Sequence, residues 1–138
     1  MPYATTRDLI TRFGEFEIQN LASIDGDEVL DNDKIASALS DAEAEINSYL
    51  GQRYQLPLSS VPEVVKGACC DIARYNLYAN QTTDEVQARY NKRISWLRDV
   101  ASNRASLGLA EKTQSSAFSV AVSNGGGRIF TRDTLKGY

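Results

Sequence analysis

Apolar residues recur at steps of three and four along most of the chain, from about Thr6 to Ser106. This period places side chains on one face of an α-helix. Two short stretches and three long ones follow the pattern, and we expect each of them to form a helix. In chain order they are Asp8–Phe13, Phe16–Ala22, Ile35–Leu50, Val65–Ala79 and Val86–Ala105.

The ends of the three long stretches carry residues that are typical of helix caps. Gly51 is expected to end the first long helix as a left-handed residue. Pro62 is expected in the first turn of the second, where its missing N–H does no harm. That second helix is apolar on nearly every side, which predicts a central position in a bundle. The predicted N-terminal caps are Asn32 or Asp33, then Ser60, then Thr82 in a capping box with Glu85.

The last part of the chain has a different pattern. Residues 118–122 alternate between apolar and small side chains, which is the period of a β-strand. A run of glycines interrupts this pattern, and residues 128–132 resume it. We therefore predict a mainly α fold, a small helical bundle of three main helices and short N-terminal helices, with a C-terminal extended or β-hairpin arm. The predicted division is a helical domain at 1–106 and a docking arm at 107–138.

Sizeable apolar side chains are frequent in this arm, more so than in a typical disordered tail. A two-stranded hairpin is at best marginally stable by itself. The arm therefore either packs on its own helices or docks on another chain, and the residues leave both alternatives open. A docked strand would pair its edge hydrogen bonds and bury alternate side chains. The apolar residues are Phe118, Val120, Val122, Ile129, Phe130, Leu135 and Tyr138.

The composition limits the chemistry that is open to the chain. None of its 138 residues is histidine, which excludes Ser–His and Cys–His nucleophiles and every His-containing metal site. Cys69 and Cys70 are adjacent, which fits a reducing cytoplasm. The acidic stretch Asp25–Asp33 lacks the glycine and glutamate positions of a calcium-binding EF-hand. We therefore expect no enzyme, no cofactor and no metal site, and the apolar runs are too short for a membrane span.

Charge is unevenly distributed, although the net charge is only −3. Residues 1–45 contain eleven acidic and three basic residues, whereas residues 46–106 contain five acidic and eight basic ones. Opposite charges in separate segments favour head-to-tail contacts between identical copies, which close into rings when the rotation permits. Two solvated faces of unequal sign are the alternative interpretation.

Aromatic and basic side chains in the last two long helices suggest a second candidate function, in nucleic-acid binding. Tyr75, Tyr78 and Tyr90 are arranged at helical spacing, which is more typical of a core or an interface. The alternative function is that of a small DNA-binding or regulatory protein. Its candidate binding residues are Arg89, Lys92, Arg93 and Arg98.

Four stretches, distributed from the start of the chain to its end, carry a resemblance to a known family. They are Met1–Gly14, Ile35–Gln55, Val61–Tyr78 and Arg128–Tyr138. The second contains Ala-Glu-Ile-Asn-Ser-Tyr-Leu-Gly-Gln-Arg-Tyr and precedes a proline turn. In their order and spacing these stretches resemble the neck proteins of Mu-like phages and prophages, the Mu "gene product thirty-six" type.

The resemblance implies a structural virion protein, a head–tail connector or adaptor similar to those of siphophages, with a mainly helical fold and no catalytic residues. Such proteins form a homo-oligomeric ring, commonly dodecameric, at the virion neck. The implied partners are neighbouring copies, the portal protein and a tail-completion or stopper protein. The resemblance further implies that DNA passes through the ring without sequence-specific binding, and that assembly occurs in the host cytoplasm.

The C-terminal arm supplies the expected docking site for the portal or a neighbouring copy. Several of its residues are aromatic, aliphatic or arginine, and aromatic and arginine side chains are enriched among interface hot spots. The expected docking residues are Phe118, Val120, Arg128, Ile129, Phe130, Arg132, Leu135 and Tyr138.

Overall fold

The helical periodicity is realised as a bundle of α-helices in the computed structural model, which describes residues 2–23 and 29–112. The mainly α fold, with three main helices and two short N-terminal ones, is confirmed in this part of the chain. The elements are α1 (Thr6–Phe13), α2 (Glu15–Leu21), α3 (Asn32–Leu50), α4 (Glu63–Tyr78), a 3₁₀ turn (Ala79–Gln81) and α5 (Asp84–Ala101).

Helix α4 occupies the centre of the bundle, as its all-round apolar pattern predicts. It packs against α3, α5 and α1. Its buried apolar residues occur on every side of the helix: Val65, Ala68, Cys69, Cys70, Ile72, Ala73 and Leu77. Helix α3 instead buries one stripe, at steps of three and four, and exposes the rest of its surface. The buried stripe is Ile35, Ala38, Ala42, Ile46 and Leu50.

The predicted helix caps are wrong by one or two residues. In α3 and α5 the capping side chain accepts a hydrogen bond from the backbone N–H three residues further on. Helix α4 starts without a side-chain cap. Several residues of capping type stand side by side, so the start is set by the turn that buries the first apolar residue. The observed caps are Asp31, Pro62 and Thr83, where the sequence predicts Asn32 or Asp33, Ser60 and Thr82.

The C-terminal ends of two helices also differ from the prediction. Gly51 has a φ of −60°, in the right-handed region, because the chain continues from α3 into another right-handed turn up to Tyr54. The predicted left-handed cap is therefore wrong. Helix α5 ends at Ala101 and does not reach Ala105. Asn103, with a φ of 69°, reverses the chain after it.

The two short helices are fastened to α4 by one buried arginine. Gly14 joins them with a φ of 94°, a value that favours glycine. The Nε and Nη2 atoms of Arg74 donate to the two carboxylate oxygens of Glu17 on α2, at 2.5 and 3.0 Å. The same guanidinium lies 4.4 Å from the centre of the Phe13 ring on α1. Arg74 thereby joins α1, α2 and α4.

The predicted arm spans residues 107–138, and its two strand-like stretches, at 118–122 and 128–132, lie outside the described residues. Within the described part of the chain, β pairing is limited to two isolated antiparallel bridges, Ser23 with Leu30 and Tyr54 with Glu111. The division between 1–106 and 107–138 stays a prediction. Residues 107–112 contact the helical body, and their contacts define the site described next.

Candidate functional site

All eight predicted docking residues, from Phe118 to Tyr138, lie outside the described residues. The structure does describe the beginning of their segment, residues 107–112, which we call the arm root. The arm root lies against the start of the connection between α3 and α4. Its contacts fix the place from which the C-terminal segment continues.

Backbone contacts hold the arm root at both ends. At its start Leu107 is buried, and its N–H donates to the Tyr54 hydroxyl at 3.1 Å. At its end Lys112 donates its N–H to the carbonyl of Arg53 at 2.8 Å. Between them Glu111 forms the antiparallel bridge with Tyr54. The arm root therefore adds a short extended segment beside residues 53 and 54.

The side chain of Arg53 is the centre of this contact. Its Nε and Nη2 atoms donate to the two carboxylate oxygens of Glu111, at 3.1 and 2.7 Å. Its Nη1 atom donates to the carbonyls of Val100 and Ala105, just before the arm root. The hydrogen bond from Arg53 holds the pKa of Glu111 below its ordinary value. One guanidinium thus joins the end of α3, the end of α5 and the arm root.

The far end of the arm root has one more charged contact and a small cavity beside it. The ammonium group of Lys112 donates to the carbonyl of Gly51 at 2.6 Å. A cavity of about 250 Å³ lies alongside, with Pro57, Leu58 and Leu109 among its lining residues. The arm root thus covers part of the connection between α3 and α4.

The tyrosines that suggested nucleic-acid binding are packing residues. Tyr75 on α4 and Tyr90 on α5 stack with their ring centres 4.0 Å apart. The Tyr90 hydroxyl donates to Glu45 on α3 at 2.9 Å. Burial, and then the hydrogen bond to Glu45, raise the pKa of Tyr90 to about 12. This pair therefore joins three helices, and one face of each ring is occupied by the other ring.

The candidate DNA-binding arginines on α5 are partly neutralised. Arg93 donates from Nε to Asp71 at 2.6 Å, and the Nε of Arg89 lies 3.6 Å from Glu85. Among the described residues, no carboxylate lies within 4 Å of the charged groups of Lys92 or Arg98. The structure brings Arg89, Lys92 and Arg93 together around one cavity and leaves Arg98 outside its lining.

The two thiols are placed in the core. Burial is the main cause that raises the pKa of Cys69 to about 12 and that of Cys70 to about 11. The thiolate, which is the reactive form, is therefore scarce at neutral pH. Within residues 2–23 and 29–112, no cluster of three acidic or cysteine side chains is placed to hold a metal ion. None of the helices described there has the length and apolar character that a membrane crossing requires.

Comparison with known proteins identifies the family. A family model described as "Bacteriophage Mu, Gp36" matches residues 3–123, which is most of the chain. The chain belongs to this family. The resemblance found in the sequence is therefore confirmed at the level of the Gp36 family.

Two relatives illustrate how far this similarity extends. The "Mu-like prophage FluMu protein gp36" of Haemophilus influenzae is 38% identical over 137 residues, covering 99% of this chain and 97% of the relative. "Gene product J" of Escherichia phage Mu is 33% identical over 117 residues, covering 84% of this chain and 83% of the relative. The first match extends through nearly the whole length of both proteins, beyond the end of the Gp36 family match.

The residues that build the arm root were not distinguished by sequence reasoning. Arg53 and Glu111 are 58 positions apart, and no periodic pattern connects two such residues. Arg74 and Glu17 are 57 positions apart, and their pairing has no local signal either. These contacts are long-range pairs, and only the folded arrangement reveals them.

Acidification is expected to loosen the arm root before the helical body unfolds. Because Arg53 lowers the pKa of Glu111 in the folded protein, the contact is complete above the ordinary pKa of 4.5. It is lost as the pH falls from there through the lowered value. The protection factor of the Lys112 amide, which is its hydrogen-exchange rate by NMR compared with the intrinsic rate at the same pH, should fall over that range. In Glu111→Gln, which cannot titrate, this fall should be absent; a parallel change in both proteins contradicts the prediction.

Proposed function

We propose that this chain is a structural head–tail connector of a tailed bacteriophage. In this role it forms a ring at the virion neck, between the portal protein and the tail-completion or stopper protein. Membership of a phage Mu protein family supports a phage role. The names of the two relatives state no enzymatic activity.

The observation that carries the proposal is the clamped arm root. Arg53 holds Glu111, and Lys112 is bound to the backbone at the end of α3. The next 26 residues therefore start from a fixed point on the helical body. They include aromatic, aliphatic and arginine side chains of the kind that anchor interfaces. An arm root fixed on the helical body, followed by a long segment rich in interface-type residues, suits a protein that binds a second ring.

The proposed docking residues for the portal or a neighbouring copy remain those of the arm. Strand addition would satisfy their backbone hydrogen bonds and bury alternate side chains. The residues are Phe118, Val120, Arg128, Ile129, Phe130, Arg132, Leu135 and Tyr138. The proposed anchors among them are Arg128, Phe130, Arg132, Leu135 and Tyr138, and aromatic and arginine residues are enriched among interface hot spots.

The helical body supplies the other half of the proposed role. Its core spans all three main helices, and Arg74 fastens the N-terminal helices to it. Such a body can serve as a subunit of a ring, commonly of twelve copies, through which DNA passes without sequence-specific contacts. The DNA-binding alternative draws less support, because Arg98, one of its four candidate residues, lies outside the lining of the cavity that brings Arg89, Lys92 and Arg93 together.

The proposal is tested by measuring mass in solution. Multi-angle light scattering of the full-length chain, alone and mixed with the assembled portal ring of the same phage, gives the copy number directly. We expect a stable complex that carries one copy for each portal subunit. A mixture in which portal and chain elute separately at every concentration contradicts the connector role. Binding of duplex DNA by dilute monomer, with steep salt dependence, would instead favour the alternative.

A further inference from the structure

A small basic groove lies over α4 between α1 and α5. Its cavity, of about 220 Å³, is lined by Asp71, Arg89, Lys92 and Arg93. Beside Arg93, Gly67 on α4 leaves room for two guanidinium groups: a Cβ there would lie 2.9 Å from Nη2 of Arg93 and 3.5 Å from a nitrogen of Arg12 on α1. Guanidinium groups from two different helices therefore converge on a position that has no side chain.

The carboxylates in and near this groove do not neutralise all of its positive charge. Asp71 is buried and accepts a hydrogen bond from Nε of Arg93. The N–H groups on the other two guanidinium nitrogens of Arg93 remain available as donors. Arg12 is 3.8 Å from Glu63, which is largely exposed. The ammonium of Lys92 has no carboxylate within 4 Å among the described residues. A partner that presents negative charge fits this surface.

The outward face of α3 has the matching charge. It carries exposed Asp33 and Asp41, with half-buried Glu43 at its edge. None of these three carboxylates takes part in an ion pair within the described part of the chain. The side chains between them are small, Ser40 and Ala44 among them, so another surface can approach closely.

The groove and the outward face of α3 cannot meet within one molecule. Asn76 on α4 faces α3, because its side-chain amide donates to the carbonyl of Ala38 at 3.5 Å. Gly67 lies nine residues before Asn76, which is two and a half turns at about 3.6 residues per turn. Gly67 is therefore on the opposite side of α4 from α3. Complementary surfaces on opposite sides of a subunit produce head-to-tail contacts, which close into rings when the rotation between neighbours permits.

We propose that the basic groove at Arg89, Lys92 and Arg93 binds the outward face of α3 of a second copy of this chain. This deepens the proposed function, because it rests on the proposed ring and names the two surfaces that join its neighbouring subunits.

The test uses engineered disulfides between two singly substituted chains. Ala44→Cys places a thiol on the outward face of α3, and Ala88→Cys places one on α5, a turn before Lys92. The native thiols are buried, and their raised pKa values leave little of the reactive thiolate at neutral pH, so they should not take part in disulfide exchange. In a glutathione redox buffer, we expect the amount of disulfide-linked heterodimer to exceed that of either homodimer by about tenfold. Several exposed ion pairs acting together can supply the binding free energy that such a preference requires. A dominant Ala44→Cys homodimer, equal amounts of all products, or no cross-link at any concentration overturns the proposal.

Charge reversal supplies the decisive comparison. Lys92→Glu in the Ala88→Cys chain should remove the heterodimer preference, and Asp41→Lys in the Ala44→Cys chain should restore it. Arg104→Glu is the matched control, because Arg104 is exposed and lies outside the groove lining; it should leave the preference unchanged. An unchanged heterodimer preference in the Lys92→Glu chain overturns the proposal. Suppression of cross-linking between the Ala44→Cys and Ala88→Cys chains by stoichiometric duplex DNA also overturns it, because the groove would then be a DNA site.

The result is separable from the connector role. Loss of the heterodimer preference together with intact portal binding refutes the interface and leaves the proposed function standing. A salt-sensitive heterodimer together with absent portal binding supports the interface and refutes the connector role.

Discussion

Removal of residues 117–138 is expected to leave the helical body folded and to abolish binding to the portal ring. A chain ending at Ser116 keeps Glu111 and Lys112, so the arm root stays clamped by Arg53. It loses all eight proposed docking residues, and truncation of a single well-buried anchor already costs at least about 2 kcal/mol. Affinity should therefore fall by more than about a thousandfold. Circular dichroism reports the fold, and cosedimentation with assembled portal rings reports the binding.

Two matched variants separate a lost anchor from a damaged fold. Phe130→Ala removes one proposed arm anchor, whereas Phe16→Ala removes an aromatic ring that is 77% exposed on α2. The first should weaken portal binding substantially, and the second should leave it unchanged. A chain ending at Ser106 should in addition be less stable, because it lacks Glu111. Portal binding by the Ser116-terminated chain at full strength would falsify the arm assignment.

Arg74→Ala is expected to lower the free energy of unfolding by about 3 kcal/mol, the low end of what breaking a buried ion pair costs. Arg74 is 8% exposed, and its removal leaves the carboxylate of Glu17 with no counter-charge at a partly buried site. The cation–π contact with Phe13 is lost as well. Urea denaturation followed by circular dichroism measures the change. The α1–α2 hairpin should lose hydrogen-exchange protection first.

The control for this effect is an ion pair of the same type on the surface. Arg104 lies 3.8 Å from Asp99, and both side chains are exposed. Arg104→Ala should therefore change the free energy of unfolding by no more than about 0.5 kcal/mol. Arg74→Lys should fall between the two, because it keeps the charge but loses the two-nitrogen fork. Equal costs for Arg74→Ala and Arg104→Ala would show that burial does not strengthen the pair.

Local pattern was sufficient to predict the bundle. The stripe of Ile35, Ala38 and Ala42 in α3 is buried as its spacing indicates. Helix α4, whose own sequence is apolar on nearly every side, lies at the centre of the bundle. These features depend on the positions of apolar residues within one helix, which the sequence displays directly. Family membership was recognisable for a related reason, since the order of such stretches is itself a pattern.

Pairings between distant residues were not predictable. Nothing local links Arg53 to Glu111 or Arg74 to Glu17, because each pair depends on how whole helices are arranged. The uneven charge shows the same limit. Part of it is neutralised inside the fold, where acidic residues of the first segment pair with later basic ones, as Glu17 does with Arg74. The charge that is not neutralised in this way lies on particular faces of the helices, and those faces are defined only by the three-dimensional structure.

The arm root also has a consequence for synthesis on the ribosome. Arg53 receives its carboxylate partner from a residue 58 positions later. At about 5–20 residues per second, that partner emerges roughly 3 to 12 seconds afterwards. Throughout this interval the nascent chain carries Arg53 and Tyr54 without the contacts that finally enclose them. The last turn of α3 and the connection that follows it therefore mature late, and translation that stalls before Leu107 leaves them open to chaperones and proteases.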